Sequence, residues 1–434
     1  MVGDTSSVVN DVVDRWSLTA VLAGLPIALI IFGPAVIIPV GDKNLLVLAS
    51  QLAVAMLLVH IGFSALASHG VATLPSLARW LAASTALLAL PVLWSADIEG
   101  GFVAYANFAS GTIGGIAIAL VWRTFQRSYS WIDVAYYIFL IGGVIQLTSA
   151  FSQAETSSAL HQSAQTPWGN SNFVAACLVV AALGVMGRAV SLGKHRKYAV
   201  PVGVLSIGVA LFTLSRGAIL AACVGAVFFL WQGVSRLRGT VARHGHNREP
   251  GTHRPPLKIM LARSIALLIP FIAFWAIERV TQIRAEVNNR VYVNTDTRFA
   301  LYELAWKEFV ENPLTGTGWV SLRLTTQSSI GQSSTFAHNL LFSFLQIGGV
   351  LALPYLIVLA YIAYRSLRRG GPYAAAVGAA LAISLTDPFF ESVVGNLVVL
   401  PIALMASMAG PPGNMSEAAA GPSGVVLTGS RLAH

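Results

Sequence analysis

The chain contains 434 residues, of which 55% are hydrophobic and 10% are charged, and its formal net charge is +9. With a mean hydropathy of +0.70, it carries more apolar surface than a water-soluble domain can bury. The composition therefore excludes a soluble protein and predicts an integral membrane protein. The positive charge is expected from membrane topology and anionic lipid headgroups, and it does not indicate nucleic-acid binding.

Apolar windows long enough to cross a bilayer recur along the chain. A spanning helix needs about 20 mostly apolar residues, and long apolar segments without alternation favour helices. We therefore predict an all-α polytopic membrane protein with about 12 transmembrane helices and a large, partly helical periplasmic loop. The first window is too long for a signal-peptide core and is interpreted as a retained span. The predicted spans are residues 18–40, 45–67, 77–94, 103–122, 131–150, 171–188, 198–214, 217–234, 259–278, 338–364, 373–388 and 393–409.

The distribution of basic residues predicts the orientation of these spans. If the N-terminus is cytoplasmic, most of the 27 Lys and Arg residues fall in cytoplasmic loops and tails, as the positive-inside rule requires. Both termini are then cytoplasmic. The predicted organisation is 1–278 for helices 1–9, 279–337 for the large periplasmic loop, 338–410 for helices 10–12 and 411–434 for a disordered cytoplasmic tail.

The large loop contains an amphipathic pattern. Aromatic residues recur there at spacings of three and four, after a possible cap in "NTDT" and before the stop signal "NPLTG". This predicts a helix with an apolar face turned toward the membrane surface or the bundle. The aromatic positions are Phe299, Tyr302, Trp306 and Phe309.

Arginine residues on the outer side are unexpected under the positive-inside rule. For Arg279, Lys307 and Arg323, snorkelling or a solvated helix surface is the simpler interpretation. Arg216 differs because the short turn "TLSRGAIL" holds it at the membrane boundary between two spans. Its planar fork pairs bidentately with phosphate oxygens, so several such arginines near one lipid surface suggest a diphosphate ligand.

His338 stands where the polar loop "SSTFA" becomes the apolar helix "HNLLFSFLQIGG". If Ser334 or Thr335 caps this helix, His338 lies in its first turn, where the macrodipole favours the neutral ring. A neutral imidazole can accept a proton as a general base. An interfacial histidine hydrogen-bonded to the loop is an equally good interpretation of this position alone.

Motifs for metal or nucleotide chemistry are missing from the sequence. It contains no HExxH, CxxC or Walker A motif, and no GxGxxG in a strand-to-helix setting. Cys177 and Cys223 both fall inside predicted spans, where they predict neither a disulfide framework nor a metal site.

Four segments taken together resemble the O-antigen ligase family. They are "WGNSNFVAA" at the start of a span, "SRGAIL" around Arg216, "RFALYELAWKEFVENPLTGTGW" in the outer loop and "HNLLFSFLQIGGVLA" opening the next span. The specific motifs lie in residues 168–350.

The resemblance implies a reaction and a place for it. Such ligases take a glycan from undecaprenyl diphosphate and join it to a sugar hydroxyl of lipid A-core, on the periplasmic face of the bacterial inner membrane. No metal, nucleotide sugar or other cofactor is implied. The implied partners are the undecaprenyl-diphosphate-linked donor, the lipid A-core acceptor and membrane lipids.

The resemblance and the local chemistry imply the same site residues. His338 is the expected general base for the acceptor hydroxyl, and the arginines would stabilise the negative charge that develops on the diphosphate. Whether Glu303 and Asp387 orient these groups is left open at this point. The expected diphosphate-binding residues are Arg216 and Arg290, with Arg284 and Arg298 behind them, and the expected supporting residues are Asn339, Asn172 and Glu303.

Other functions remain compatible with the sequence. A Wzy-type O-antigen polymerase or a protein O-oligosaccharyltransferase would use the same kind of donor with a different acceptor. A lipid-linked glycan flippase or exporter is the non-enzyme alternative, and it would place charged residues along a path through the middle of the spans. The predicted spans are nearly free of such residues, which favours chemistry at one membrane surface.

Overall fold

The computed structural model describes residues 18–40, 43–67, 75–125, 129–153, 165–167, 169–192, 195–213, 215–244, 275, 278–279, 290–319, 322–323, 333–334, 337–370 and 373–408. Helices dominate these ranges, because their long apolar stretches satisfy the backbone within each segment. The α-helices are α1 Leu18–Ala28, α2 Ala49–Ala67, α3 Ser76–Leu87, α4 Ile98–Thr124, α5 Trp131–Gln153, α6 Ser171–Leu192, α7 Arg196–Phe212, α8 Arg216–His244, α9 Arg290–Glu311, α10 Leu340–Gly348, α11 Leu353–Arg369, α12 Ala374–Ser384 and α13 Val393–Met408. Short 3₁₀ turns follow α1 at Leu29–Phe32, precede α4 at Leu90–Trp94 and join α10 to α11 at Gly349–Ala352.

The helices support the predicted membrane class. Within the described ranges, 5 helical stretches are long and apolar enough to cross a membrane, and further apolar helices of 10–17 residues accompany them. An α-helical membrane protein is therefore confirmed, whereas the number of 12 spans stays a prediction. The predicted span 259–278 lies almost entirely outside the described residues. The 5 stretches are Ser76–Trp94, Ile98–Thr124, Trp131–Ser152, Ser171–Val190 and Leu340–Arg369.

Strands replace the facing ends of the first two predicted spans. β1 (Pro34–Val40) pairs antiparallel with β2 (Lys43–Leu48), so the prediction of helix over these residues is wrong. The reason is local: Gly33 has a φ of 68°, and Pro34 cannot continue the preceding turn. The β-branched run that follows favours a pleated strand. Two much shorter pairs are β3 (Gln165–Thr166) with β4 (Gly169–Asn170), and β5 (Leu322–Arg323) with β6 (Ser333–Ser334).

The helix α6 lies at the centre of the bundle. Of its apolar window, 89% is buried, and it packs against α5, α7, α8, α12 and α13. α13 also packs along α4, where glycines allow close approach: a Cβ at Gly111 would lie 2.7 Å from the Cα of Val393. Small residues at such contacts are typical of membrane helix packing.

The outer-loop helix predicted from the aromatic pattern is α9. It ends at Glu311, directly before "NPLTG", as predicted, but it begins at Arg290 and not at the "NTDT" signal. Its buried Leu301 and Ala305 cluster with Ala337, and the rings of Tyr302 and Phe342 lie 5.5 Å apart. α9 therefore packs on the start of α10.

A short segment after α9 fastens this unit to the bundle. The amides of Thr317 and Gly318 donate to the carbonyls of Gln346 and Ile347 at 2.8 and 3.0 Å. Trp319, which is 2% exposed, donates from its ring nitrogen to the carbonyl of Leu88 at 2.8 Å. These contacts hold α9 and α10 at one end of the bundle, where the candidate site lies.

Candidate functional site

His338 lies just before helix α10 and not in its first turn. The cap is Asn339, whose Oδ1 accepts from the amides of Leu341 and Phe342 at 3.0 and 3.3 Å. The prediction that Ser334 or Thr335 caps the helix is therefore wrong, because an asparagine in extended backbone is already placed to satisfy these amides. His338 itself has a φ of 58°, a left-handed conformation that is uncommon for a residue with a side chain.

A carboxylate faces the His338 ring. The Nδ1 atom of His338 lies 3.9 Å from Oδ1 of Asp387, a separation too long for a hydrogen bond. Nδ1 is buried and has no hydrogen-bond partner among the described residues. Asp387 lies in the connection between α12 and α13. The span predicted over 373–388 included this residue, but the helix ends at Ser384. Asp387 can therefore orient the imidazole without being locked to it.

The helix α9 supplies an arginine to the same carboxylate. Nη2 of Arg298 donates to Oδ1 of Asp387 at 3.0 Å, with the two side chains 29% and 16% exposed. One turn later, the hydroxyl of Tyr302 makes long hydrogen bonds of 3.4 Å to the carbonyls of His338 and Leu385. Burial raises the pKa of the Tyr302 phenol, so it remains a donor at neutral pH. α9 thus holds both the histidine turn and the aspartate.

Arg216 reaches the site from the start of α8. Ser215 caps this helix, since its Oγ accepts from the amide of Ala218 at 3.3 Å. Gly217, the residue after Arg216, packs so closely on Asp387 that a Cβ at position 217 would lie 2.7 Å from Oδ2 of Asp387. Arg216 is near enough to Arg298, Asp387 and Tyr302 to interact with their charges. The Arg298 guanidinium therefore contacts the Asp387 carboxylate, and the Arg216 guanidinium lies close enough to both to interact with their charges.

The remaining predicted residues differ in how far the structure describes them. Asn172 stands in the first turn of α6, where its carbonyl lies 3.5 Å from Oγ of Ser215 and its buried Oδ1 has no hydrogen-bond partner among the described residues. Glu303 is exposed on α9, beside Tyr302 in sequence, and Asp387 is the acid that contacts His338. Arg290 is the first residue of α9, but its side chain lies outside the described residues, as does Arg284 entirely.

Asp387 was not assigned a role from the sequence alone. Its signal was its place in the short, mostly polar connection "TDPFFES", which was predicted to lie on the outer side, and nothing local indicated which basic side chain it meets. Among the described residues, no group of three or more His, Cys, Asp or Glu could hold a metal ion. The chemistry that the described side chains supply is proton acceptance by an imidazole beside a carboxylate, and binding of anionic oxygens by arginine.

Comparison with known protein families finds a match in one part of the chain. Residues 201–357 match the family model described as O-antigen ligase, a range that contains Arg216, Arg298 and His338. A search of curated proteins found no match. Members of the family are glycosyltransferase-like membrane enzymes of O-antigen and glycan processing. The match over residues 201–357 agrees with the resemblance to the O-antigen ligase family that the sequence motifs carry, and that resemblance is confirmed.

Proposed function

We propose that the protein is an O-antigen ligase. It transfers a glycan from undecaprenyl diphosphate to a sugar hydroxyl of lipid A-core, in a metal-independent, inverting reaction. The observation that carries this proposal is the meeting of His338, Arg298, Arg216 and Asp387 from four separate elements at one end of the bundle. A proton acceptor beside two phosphate-binding side chains suits a hydroxyl nucleophile and a diphosphate leaving group.

The proposed chemical step is a single displacement. The acceptor hydroxyl gives its proton to His338 while its oxygen forms a bond to the anomeric carbon of the donor. The bond from that carbon to the diphosphate oxygen breaks, and undecaprenyl diphosphate leaves with the electron pair. Arg216 and Arg290 bind the leaving group, with Arg298 and Arg284 behind them. His338 then releases the proton to water.

Asp387 connects the two halves of this proposed site. Its Oδ1 contacts Arg298 at 3.0 Å and faces His338 at 3.9 Å. A carboxylate beside the ring stabilises the imidazolium that forms when the hydroxyl proton is taken. Arg298 keeps further N–H groups for the donor, since a guanidinium carries five donors.

The proposal includes a cellular setting, namely the bacterial inner membrane with both termini cytoplasmic and the site on the periplasmic face. Cysteines introduced at Ser157 and Gln332 should then react with an impermeant thiol reagent added from outside. A cysteine at Gly239 should not react in intact spheroplasts. Labelling at Gly239 would place the site on the wrong side for this reaction.

The decisive experiment is transfer by the purified protein from an undecaprenyl-diphosphate-linked glycan to lipid A-core. His338→Ala should slow product formation by about 10²–10⁴-fold. Lys307→Ala is the control, since Lys307 lies on the same helix as Arg298. It should leave product formation unchanged, because Lys307 is 71% exposed and pairs with Glu311. A loss smaller than tenfold in His338→Ala would refute the proposed base.

The lipopolysaccharide of a deletion strain separates ligation from the related activities. A ligase predicts loss of long-chain bands with accumulation of lipid-linked polymer. Single-repeat bands would instead indicate a polymerase, and glycan missing from a protein would indicate an O-oligosaccharyltransferase. Movement of the donor across vesicles without transfer would indicate a flippase or exporter.

A further inference from the structure

A second acidic residue lies behind the site, in the same connection as Asp387. Glu391 lies between α12 and α13, outside both helices, and is 2% exposed. Neither of its carboxyl oxygens has a hydrogen bond of normal geometry among the described residues. An ionised carboxylate in such a place is strongly disfavoured without a paired cation, because it loses its hydration, so the buried group is held as the neutral acid.

The Glu391 carboxyl lies near a hydroxyl that supports the histidine turn. Ser343, on α10, is fully buried, and its Oγ accepts from the amide of Ala337 at 3.1 Å. That hydroxyl accepts from the amide and keeps its own proton for donation, and it lies close enough to the Glu391 carboxyl to interact with it. The Glu391 carboxyl therefore acts on the Ser343 hydroxyl, and that hydroxyl holds the amide of Ala337, the residue directly before His338.

The backbone at His338 needs this kind of support. A left-handed conformation is strained at a residue with a Cβ and persists only where the surroundings enforce it. Asn339 enforces it on one side by capping α10. Ser343 enforces it on the other side by holding the Ala337 amide. If either contact weakens, the imidazole loses its place opposite Asp387.

We propose that the buried Glu391 carboxyl is a positioning group for His338, acting through the Ser343 hydroxyl and the Ala337 amide. This inference rests on the proposed function, since it supports the general base of the transfer reaction. Glu391 does not touch the reacting atoms. Its part is to keep the Ser343 hydroxyl oriented, and thereby to keep the left-handed turn that presents the ring.

The charge environment makes this support depend on pH. Burial raises the pKa of Glu391 to about 8; the Ser343 hydroxyl opposes this rise and Asp387 adds to it. The titratable groups that face Glu391 are Asp387 from its own connection and Tyr355 from α11. Neither group is a cation that would pair with a carboxylate. Ionisation above about pH 8 puts a second negative charge near Asp387, and we expect the repulsion between the two carboxylates to outweigh the stronger bond from Ser343 and to disturb the turn.

The test compares Glu391→Gln, Glu391→Ala and Ser343→Ala with wild type in the full-length protein. The transfer rate constant and the KM for the undecaprenyl-diphosphate donor are measured from about pH 6 to about pH 9.5, on both sides of the value for Glu391. In parallel, the His338 ring signal is followed by NMR in protein labelled with ¹³C-histidine. Glu311→Gln is the matched control, because Glu311 is a 58% exposed carboxyl away from the site.

In wild type we expect the transfer rate constant to decline above about pH 8, as Glu391 ionises. Glu391→Gln should keep neutral-pH activity within about twofold and should lack this alkaline decline, because an amide keeps the shape of the neutral acid without titrating. Glu391→Ala and Ser343→Ala should lower kcat by about tenfold or more with the donor KM nearly unchanged. Retention of the alkaline decline in Glu391→Gln, or wild-type kcat in Glu391→Ala, would overturn the positioning role.

The NMR measurement separates this inference from the proposed function. If the chemical shift of the His338 ring changes near pH 8 in wild type but not in Glu391→Gln, the positioning role is supported even if the protein transfers no glycan. The same signal behaviour in both proteins overturns the role even if ligation is observed. Glu311→Gln should match wild type throughout.

Discussion

Replacing Glu391 by glutamine should change how the stability of the protein depends on pH. The carboxyl has a pKa of 4.5 in an unfolded chain and about 8 in the folded protein, because burial disfavours its charge. Folded protein therefore holds a proton that unfolded chain releases between these two values. In that window the wild-type free energy of unfolding falls as pH rises, whereas glutamine contributes no such dependence.

The size of the effect follows from the two pKa values. Each pH unit of difference corresponds to about 1.36 kcal/mol, so the gap between 4.5 and about 8 corresponds to as much as about 5 kcal/mol. Relative to wild type, Glu391→Gln should gain stability steadily from about pH 4.5 to about pH 8, and the difference should then level off. Partial rearrangement around the ionised group would reduce the total.

The assay is thermal unfolding of detergent-purified protein, followed by tryptophan fluorescence across this pH range. The Tm of Glu391→Gln minus that of wild type should rise by several degrees between the acidic and alkaline ends. Glu311→Gln should give a flat difference, because its carboxyl is 58% exposed. A flat difference for Glu391→Gln as well would mean that Glu391 is ionised in the folded protein, and the argument from burial would fail.

Three further predictions concern the site itself. Arg216→Ala should remove most transfer activity, and Arg216→Lys should restore only part of it, since an ammonium cannot form two parallel bonds to a phosphate; full activity of the lysine variant would refute the bidentate contact. His338→Ala should slow transfer by about 10²–10⁴-fold with donor binding retained, and a loss below tenfold would leave the ring only a shaping role. Gly217→Ala should lower activity without unfolding the protein, because the added Cβ would lie 2.7 Å from Oδ2 of Asp387. Gly208→Ala in α7, where a Cβ meets nothing within 4 Å, is the matched control for circular dichroism and transfer assays.

Much of the fold could be predicted because its signals are local. Apolar length predicted the membrane helices, since a spanning segment must satisfy its own backbone. The aromatic period predicted α9, and its end at Glu311 agrees with the stop signal that follows. The prediction was wrong at two places where another local signal was stronger. Gly33 and Pro34 end the first helical segment before the predicted position, and Asn339, not Ser334 or Thr335, caps α10.

The sequence by itself determined that Arg216 and His338 stand at the ends of apolar helices, because the switch from polar to apolar residues is visible in the chain. It could not determine which groups meet them. Asp387 is 49 residues from His338 and 89 residues from Arg298, and only the packing of α9, α10 and the α12–α13 connection brings the three together. The same packing buried Glu391 and left Glu303 exposed, although both are glutamates outside the predicted spans. Whether a side chain is buried or paired depends on contacts between segments that are distant in the sequence. Those contacts depend on shape complementarity, which no local pattern of residue types predicts.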